Sequence, residues 1–511
     1  MSTKKIKKSK LKYFILLLAF AIILPLIYIG IAFIGRVSPD SVIPDSFTAY
    51  THIRNPIHTA DKLLAHEPFY SLLLTPPFSS YLPVVSKIKE NAILEKKWVR
   101  SAGKGSMEGA LFSDGKFLAA WDIGVTSYFI RFFPNIAGKL SIPNIQRMKK
   151  SRFEYRVSDN NVVFIQPYKN LLIISNDLKL FESVLDGTSR TANLKGSGEK
   201  IFLSHDFDAG FLCSSESVVS WFFGSSPMAE SFLKQLDFAD FAELGLSIFQ
   251  DKIEVSMMAH VASDNESVDK LLARNSRSSA LVQRLPATAE SSTVFSIGTV
   301  EELLKAAMDV YAQKMPVNLM QVEMTSRFFL GIGISDLLFS WTGTEIAALG
   351  IERNDHPVFV LEITDEQKRK EVFKKLGDSV PVVKGSAAAS QIKLPGFLSM
   401  VFNMLNIKIS APYYVVQNDF LFLSESFEAL VSAIEPIRKD DLLLNTELWK
   451  SLSRPGAFES SLTLFYPVDR IIPFFVNSND VFEDVLKSYK QGLVKVNIDN
   501  GLLTVNLAVC E

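Results

Sequence analysis

The chain has few of the residues that build disulfide frameworks and metal sites. Its 511 residues include two cysteines and six histidines. Two cysteines, Cys213 and Cys510, are too few for a disulfide framework. They could still pair with each other if this part of the chain lies outside the cytoplasm, where disulfides persist. No H-E-x-x-H sequence occurs, and in a strand Asp206 and Asp208 would point away from His205. We therefore expect no metal ion and no other cofactor.

The sequence also lacks the motifs of common nucleophilic and nucleotide-dependent enzymes. No G-x-S-x-G elbow occurs, and the glycine-rich stretch at Lys104-Gly105-Ser106 lacks the spacing of a phosphate-binding loop. Ser-x-x-Lys occurs at Ser267–Lys270 without the Lys-Thr-Gly sequence that accompanies it in penicillin-binding enzymes. These absences favour a protein that is not an enzyme, and an unrecognised hydrolase is the alternative.

Charge is distributed unevenly along the chain. Residues 1–12 hold six lysines and no acidic residue. Of the 54 basic residues, these six leave 48 against 55 acidic ones, so the remainder carries a net charge of about −7. Because a mildly acidic domain repels a phosphate backbone, we expect no nucleic-acid partner.

A run of 23 residues without charge, residues 13–35, follows the lysines. A helix needs about 20 apolar residues to cross a bilayer, and membrane helices tolerate a proline such as Pro25. The lysines predict that residues 1–12 form a cytoplasmic stub, with residues 36–511 on the other side. The alternative, a cleaved signal peptide, has an apolar core of only about 7–15 residues and a small-residue cleavage site. The sequence favours an uncleaved anchor that contacts the lipid bilayer through residues 13–35.

Two distant segments of the chain are similar. Residues 170–186 read NLLIISNDLKLFESVLD, and residues 419–435 read DFLFLSESFEALVSAIE, an offset of 249. A second pair, 245–261 and 495–511, aligns without gaps at an offset of 250. Nearly constant offsets predict an internal duplication. The predicted parts are repeat 1 at 42–262, a connecting segment at 263–283 and repeat 2 at 284–511.

Local signals within these segments predict strands followed by capped helices. Asn176 or Asp177 in the first copy, and Ser424 or Ser426 in the second, are candidate N-caps after a buried strand.

Further local signals lie elsewhere in the repeats. Asn55 and Thr299 are candidate caps of two more helices, and Asn500-Gly501 is a type I′ turn signal. Strands in hairpins, interrupted by helices, predict an α+β fold with mostly antiparallel sheet. We expect the two repeats to pack about a pseudo-twofold axis.

The order of these features resembles a known group of sequences. The lysine-rich start and apolar run precede IPDSFTAY (43–50), TGTEIAALGIERNDHPVFVLEITD (342–365) and DFLFLSES (419–426). This arrangement resembles an uncharacterised family of bacterial single-pass envelope proteins with a domain of unknown function. The resemblance implies a place in the bacterial inner membrane, with the large C-terminal part in the periplasm. It implies no activity and supplies no catalytic residue.

The two repeats differ most between residues 142–157 and residues 394–409. The first segment is basic and the second is apolar. One interpretation is that the apolar segment packs between the repeats while the basic one is solvated. The other is a contact site for an envelope protein or a lipid. The candidate contact residues are Arg147, Lys149, Lys150, Arg152, Phe397, Met400, Phe402 and Met404.

The sequence as a whole favours a non-catalytic binding or scaffolding role in the cell envelope. The alternative is a carrier that holds a lipid or another hydrophobic envelope molecule in a groove between the two repeats.

Overall fold

The computed structural model describes most of the chain after residue 34. Apart from isolated positions, the described residues are 35–72, 97–112, 115–132, 145–147, 152–158, 161–186, 207–215, 235–311, 333–377, 379–394, 410–453, 458–470 and 487–510. No helix within them is both long enough and apolar enough to cross a membrane. The predicted anchor at 13–35 lies outside the described residues, except for positions 30 and 35.

The chain divides into two compact units, Met1–Cys213 and Ser214–Glu511. The described strands of the first unit are β1 Ala49–Ile53, β2 Met107–Leu111, β3 Phe117–Asp122, β4 Ile145–Arg147, β5 Phe153–Ser158, β6 Asn161–Tyr168, β7 Leu171–Ser175 and β8 Ala209–Ser214, of which all but the last residue of β8 precede the boundary. Its described helices are α1 Pro56–Ala65, α2 Glu67–Leu72, α3 Lys97–Ala102, α4 Val125–Phe132 and α5 Leu178–Leu185.

The strands of the first unit pair antiparallel in the order β8-β1-β2-β3-β7-β6-β5-β4. A hydrophobic core packs α5 against the sheet, with Leu118, Leu171, Ile173 and Phe181 fully buried. Burial of each such side chain contributes roughly 1.5–3 kcal/mol to folding.

The second unit has more strands. They are β9 Asp237–Phe238, β10 Phe241–Ile248, β11 Lys252–Ala262, β12 Arg277–Ser278, β13 Ala289–Phe295, β14 Thr342–Ile351, β15 Val358–Ile363, β16 Ser379–Lys384, β17 Ala387–Ile392, β18 Tyr413–Gln417, β19 Phe420–Ser424, β20 Glu459–Ser460, β21 Leu462–Pro467, β22 Gln491–Asp499 and β23 Leu502–Cys510. Its described helices are α6 Glu266–Leu272, α7 Val300–Tyr311, α8 Ile334–Phe339, α9 Glu366–Leu376, α10 Phe427–Arg438 and α11 Glu447–Leu452.

The main sheet of the second unit is also antiparallel. Its strands follow the order β16-β17-β18-β19-β15-β14-β13-β21-β22-β23-β11-β10. Helix α10 packs into the core of this unit, where Phe422 and Leu430 are buried. The predicted α+β class with mostly antiparallel sheet is confirmed for the described residues.

A buried serine ends the strand in each of the two similar segments, 170–186 and 419–435. The hydroxyl of Ser175 donates to the carbonyl oxygen of Phe117 at 2.7 Å. The hydroxyl of Ser424 donates to that of Pro357 at 2.9 Å. Both serines are fully buried. Each hydroxyl therefore ties the end of one strand to the chain that enters the neighbouring strand.

The predicted helix caps are confirmed at one of the two candidates in each of these segments. Asp177 accepts a hydrogen bond from the backbone N–H of Leu180 at the start of α5. Ser426 accepts one from Ala429 at the start of α10. These side chains satisfy backbone donors that have no partner within the helix.

Other local predictions are also confirmed. Asn55 caps α1, and Thr299 forms a reciprocal capping box with Glu302 at the start of α7. Asn500 and Gly501 have φ values of 50° and 80°, as a type I′ turn between β22 and β23 requires. The two thiols are free: Cys213 is half-buried and Cys510 is buried.

Candidate functional site

A cleft of about 420 Å³ opens in the second unit, and this volume lies within the range of small-molecule sites, roughly 300–1,000 Å³. Its lining comes from three parts of the chain that the sheet brings together. These are Glu290 and Ser291 on β13, residues 348–357 around the turn from β14 to β15, and Tyr466 with Arg470.

The floor of the cleft consists of small side chains. Ser291 lies opposite Gly350 in the pairing of β13 with β14, and Ala348 follows on the same face of β14. A methyl group at Gly350 would lie 2.3 Å from the hydroxyl oxygen of Ser291. A larger residue would therefore displace Ser291, so glycine at this position keeps the floor open.

A β-bulge places an acidic side chain at the edge of the cleft. Ala289 lies opposite Ile351, whereas Ser291 lies opposite Gly350, so Glu290 is an extra residue in β13. A bulge turns the extra side chain away from the regular alternation of the strand. Glu290 thereby lines the cleft beside Arg470.

The turn between β14 and β15 forms the opposite rim. Arg353 adopts a positive φ of 61°, and its side chain is 89% exposed. The side-chain oxygen of Asn354 accepts from the backbone N–H of His356 at 3.1 Å. The side-chain amide of Asn354 donates to the hydroxyl of Ser426 at 3.4 Å. The cap residue of the repeated segment therefore also helps to fix the rim.

One aromatic side chain forms part of the wall. The hydroxyls of Tyr466 and Thr293 lie 2.7 Å apart and share a hydrogen bond. This contact fixes the tyrosine ring against β13. The cleft thus combines a small, rigid floor, an oriented phenol, two arginines and two acidic residues, Glu290 and Asp355. This lining suits a polar, charged small molecule.

Among the described residues no group of three or more histidine, cysteine, aspartate or glutamate side chains has the geometry of a metal site. Asp208 lies 2.7 Å and 2.8 Å from the Nζ atom of Lys62, through its two carboxylate oxygens. This carboxylate is therefore paired with a lysine. His205 and Asp206 lie outside the described residues.

A second chemically notable group is a buried lysine on β22. The Nζ atom of Lys495 donates to the hydroxyl of Ser453 at 2.7 Å and lies 5.7 Å from the ring centroid of Trp449. Burial lowers the pKa of the Lys495 ammonium to about 8. A lysine with a lowered pKa beside a serine is a known type of base and nucleophile pair. Both side chains are buried and neither lines the cleft.

Each unit also has a buried glutamate, Glu108 on β2 and Glu345 on β14. Glu108 accepts from the Tyr50 hydroxyl at 2.6 Å and contacts the Nδ1 atom of His52 at 2.6 Å. Glu345 accepts from the backbone N–H groups of Ala280 and Leu281 at 2.9 Å and 2.6 Å. Burial raises the pKa of Glu345, although these N–H donors oppose the shift.

The predicted contact residues are described only in part. Arg147 ends β4, opposite Phe153 on β5. The guanidinium of Arg152 lies 3.1 Å from the carboxylate of Glu182 and stacks 5.6 Å from the ring centroid of Phe181. Both contacts of Arg152 are therefore with residues of its own unit. The remaining six candidates, which lie outside the described residues, are Lys149, Lys150, Phe397, Met400, Phe402 and Met404.

The Ser-x-x-Lys pair on α6 is not a reactive pair. The hydroxyl of Ser267 donates to Asp309, and Lys270 forms an ion pair with Glu266 at 2.6 Å. Sequence reasoning did not find the cleft or the Ser453–Lys495 contact. Gly350, a glycine inside a strand, is the one local signal of a close approach at the cleft.

Comparisons with known proteins give little further information. No known protein-family profile matches the chain, and no curated protein matches it. A structure of TP0453 in crystal form III is 12% identical with a TM-score of 0.29, and the match covers 48% of this chain and 90% of that chain. Crystal form I of TP0453 is 13% identical with a TM-score of 0.27, covering 44% and 80% respectively. Matches this weak do not establish a shared fold or function.

Proposed function

We propose that this chain is a non-catalytic, membrane-anchored binding or scaffolding protein of the bacterial cell envelope. The observation that carries this proposal is the run of 23 uncharged residues at 13–35, directly after six lysines. Such a run is long enough to span a bilayer, and the lysines hold the N-terminus in the cytoplasm. The folded units would then lie outside the cytoplasm.

We further propose that the chain arose by internal duplication, with repeats at 42–262 and 284–511. The strand order of the two units supports this. The first unit has the order β8-β1-β2-β3-β7-β6-β5-β4. Within the second unit, β21-β13-β14-β15-β19-β18-β17-β16 follows the same path with respect to chain order.

The pairing of β11 with β23 adds a second line of support. Ser256 lies opposite Asn506, and these residues occupy corresponding positions at the offset of 250. The Ser256 hydroxyl donates to the side-chain oxygen of Asn506 at 2.7 Å. Antiparallel pairing of equivalent strands at equivalent residues is the arrangement that a local twofold axis produces.

The cleft favours binding over a purely structural role. Its volume and the convergence of charged groups at its rim suit a small ligand. The alternative role, a carrier of a hydrophobic molecule, is not favoured by this cleft because Glu290, Arg353, Asp355 and Arg470 surround it.

The proposed anchor can be tested with two charges placed within the apolar run. In the double variant Leu18→Arg/Ile22→Arg, each arginine opposes membrane insertion, by up to roughly 2.5–3.5 kcal/mol for an arginine at the helix centre. The wild-type chain should float with membrane vesicles after an alkaline carbonate wash. The double variant should leave the vesicle fraction.

A matched control keeps the same positions apolar, as Leu18→Phe/Ile22→Leu. It should float like the wild type. Release of the wild-type chain by carbonate, or flotation of the arginine variant at the wild-type level, would overturn the proposed anchor.

A further inference from the structure

The rim of the cleft carries balanced charge. Arg353 and Arg470 supply two cations, and Glu290 and Asp355 supply two anions. A ligand with only one sign of charge would meet two repulsive groups as well as two attractive ones. A ligand with both signs is complementary to the whole rim.

The two arginines are held only loosely by their neighbours. Arg470 lies 3.9 Å from Glu290, and the two side chains are 55% and 45% exposed. Arg353 lies 3.2 Å from the adjacent Glu352, and both side chains are largely exposed. Exposed pairs of this kind contribute little to stability, so a guanidinium group can turn to a ligand at low cost. Arginine forms paired, planar hydrogen bonds with carboxylate and phosphate groups.

The floor and wall limit what can enter. Ser291, Gly350 and the hydroxyl-bonded Tyr466 line a space whose exposed surface is more polar than apolar, with Ala348, Leu349 and Pro357 as its apolar lining. A long hydrocarbon chain would find few apolar partners there. A small polar molecule would bury its charged ends at the rim and its middle against the floor.

We infer that this cleft binds a small zwitterion, a molecule that carries an ammonium group together with a carboxylate or phosphate group. The anionic group would contact Arg353 and Arg470, and the ammonium group would contact Glu290 or Asp355. This inference rests on the proposed binding function and names its ligand class.

The test uses the full chain in detergent and isothermal titration with defined probes. The zwitterionic probes are O-phosphoethanolamine, with a phosphate, and β-alanine, with a carboxylate. The single-charge probes, which carry charge of only one sign, are ethanolamine, inorganic phosphate and propionate. At least one zwitterion should bind about tenfold or more tightly than each of its single-charge counterparts, since two charge-assisted contacts replace one. The zwitterion that binds identifies the anionic group.

Variants then locate the binding. Arg353→Gln/Arg470→Gln and Glu290→Gln/Asp355→Asn should each weaken zwitterion binding about tenfold or more. Arg277→Gln is the matched control, because Arg277 is an exposed arginine on β12 outside the cleft. It should bind like the wild type. Melting temperatures without ligand verify that each variant is folded.

Equal binding of zwitterions and single-charge probes would overturn the inference. So would unchanged zwitterion binding in either cleft double variant, or no binding of either zwitterion at millimolar concentration. These results would not bear on the proposed membrane anchor, because the flotation assay tests the anchor independently of the cleft.

Discussion

Replacement of Lys495 by methionine should change how the stability of the protein depends on pH. Lys495 is only 9% exposed, and its ammonium group contacts Ser453 and the ring of Trp449. Burial lowers its pKa from 10.5 to about 8. Methionine has a similar length and no charge, so it removes the titration with a modest change in volume.

The sign and size of the effect follow from the two pKa values. Below about pH 8 the amine is protonated in both the folded and the unfolded chain, and the folded state bears the full penalty of a buried charge. Between about pH 8 and pH 10.5 the folded state releases its proton first, so stability rises with pH. The lowering from 10.5 to about 8 corresponds to roughly 3 kcal/mol.

Denaturant unfolding of the full chain in detergent, followed by tryptophan fluorescence, measures this effect at pH 7 and pH 10. Lys495→Met loses the hydrogen bond to Ser453, and it also removes the free-energy cost of burying a charged ammonium group. The free energy of unfolding of the variant minus that of the wild type should fall by about 2–3 kcal/mol from pH 7 to pH 10. Other titrating groups, including the two thiols, are present in both proteins and cancel.

Lys439→Met is the control, since the Lys439 side chain is 74% exposed. Its difference from the wild type should stay constant over the same range. A Lys495→Met difference that is independent of pH would refute the reasoning that burial depresses this lysine.

Three further substitutions test other parts of the structure. Ser426→Ala removes the cap of α10 and should lower the free energy of unfolding by about 1 kcal/mol, while Ser426→Asp should retain most of it; equal stability of all three proteins would contradict the capping role. Glu345→Gln tests whether burial raises the pKa of the Glu345 carboxyl. Because the folded state favours the protonated acid, the wild type should lose stability relative to the variant as the pH rises above about 4.5. Denaturant unfolding at several pH values measures this difference. If the difference in free energy of unfolding between the wild type and Glu345→Gln does not vary with pH, burial does not raise the pKa of Glu345. Gly350→Ala places a methyl group against the Ser291 hydroxyl, which must rotate away, and should lower the free energy of unfolding by up to about 1 kcal/mol, with Ser291→Ala in the same chain restoring part of the loss; additive losses would show that the two residues do not clash.

Local features of the fold could be predicted from the sequence. The caps at Asp177 and Ser426 and the turn at Asn500-Gly501 depend on hydrogen bonds and dihedral angles within a few residues. The sequence likewise predicted strands arranged in hairpins, and β10–β11 and β22–β23 are two such hairpins. These features need no knowledge of distant parts of the chain.

The cleft could not be predicted because its lining depends on long-range pairing. Glu290 lines it because of a bulge in the pairing of β13 with β14, and that irregularity has no signature in the sequence. Tyr466 on β21 and Arg470 just after it are far from β13 in the sequence, and the pairing of β21 with β13 brings them to the cleft. The contact between Ser453 and Lys495 has the same origin, since it joins the end of α11 to β22.

The contact residues predicted from the difference between residues 142–157 and 394–409 remain a prediction. Arg152 is the one for which the structure describes side-chain contacts, and these are with Glu182 and Phe181. Replacement of the four basic candidates by serine, with membrane or partner retention as the readout, is still the test of that hypothesis.

The central claim, a cytoplasmic N-terminus followed by an exported protein, is tested most directly by thiol labelling in spheroplasts. The chain would carry Ser in place of Cys213 and Cys510, and one new cysteine, either Lys439→Cys on the exposed end of α10 or Ser9→Cys among the N-terminal lysines. A membrane-impermeant maleimide should label the Lys439→Cys protein in intact spheroplasts, and the Ser9→Cys protein only after lysis. Labelling of Ser9→Cys in intact spheroplasts, or of Lys439→Cys only after lysis, would contradict the account.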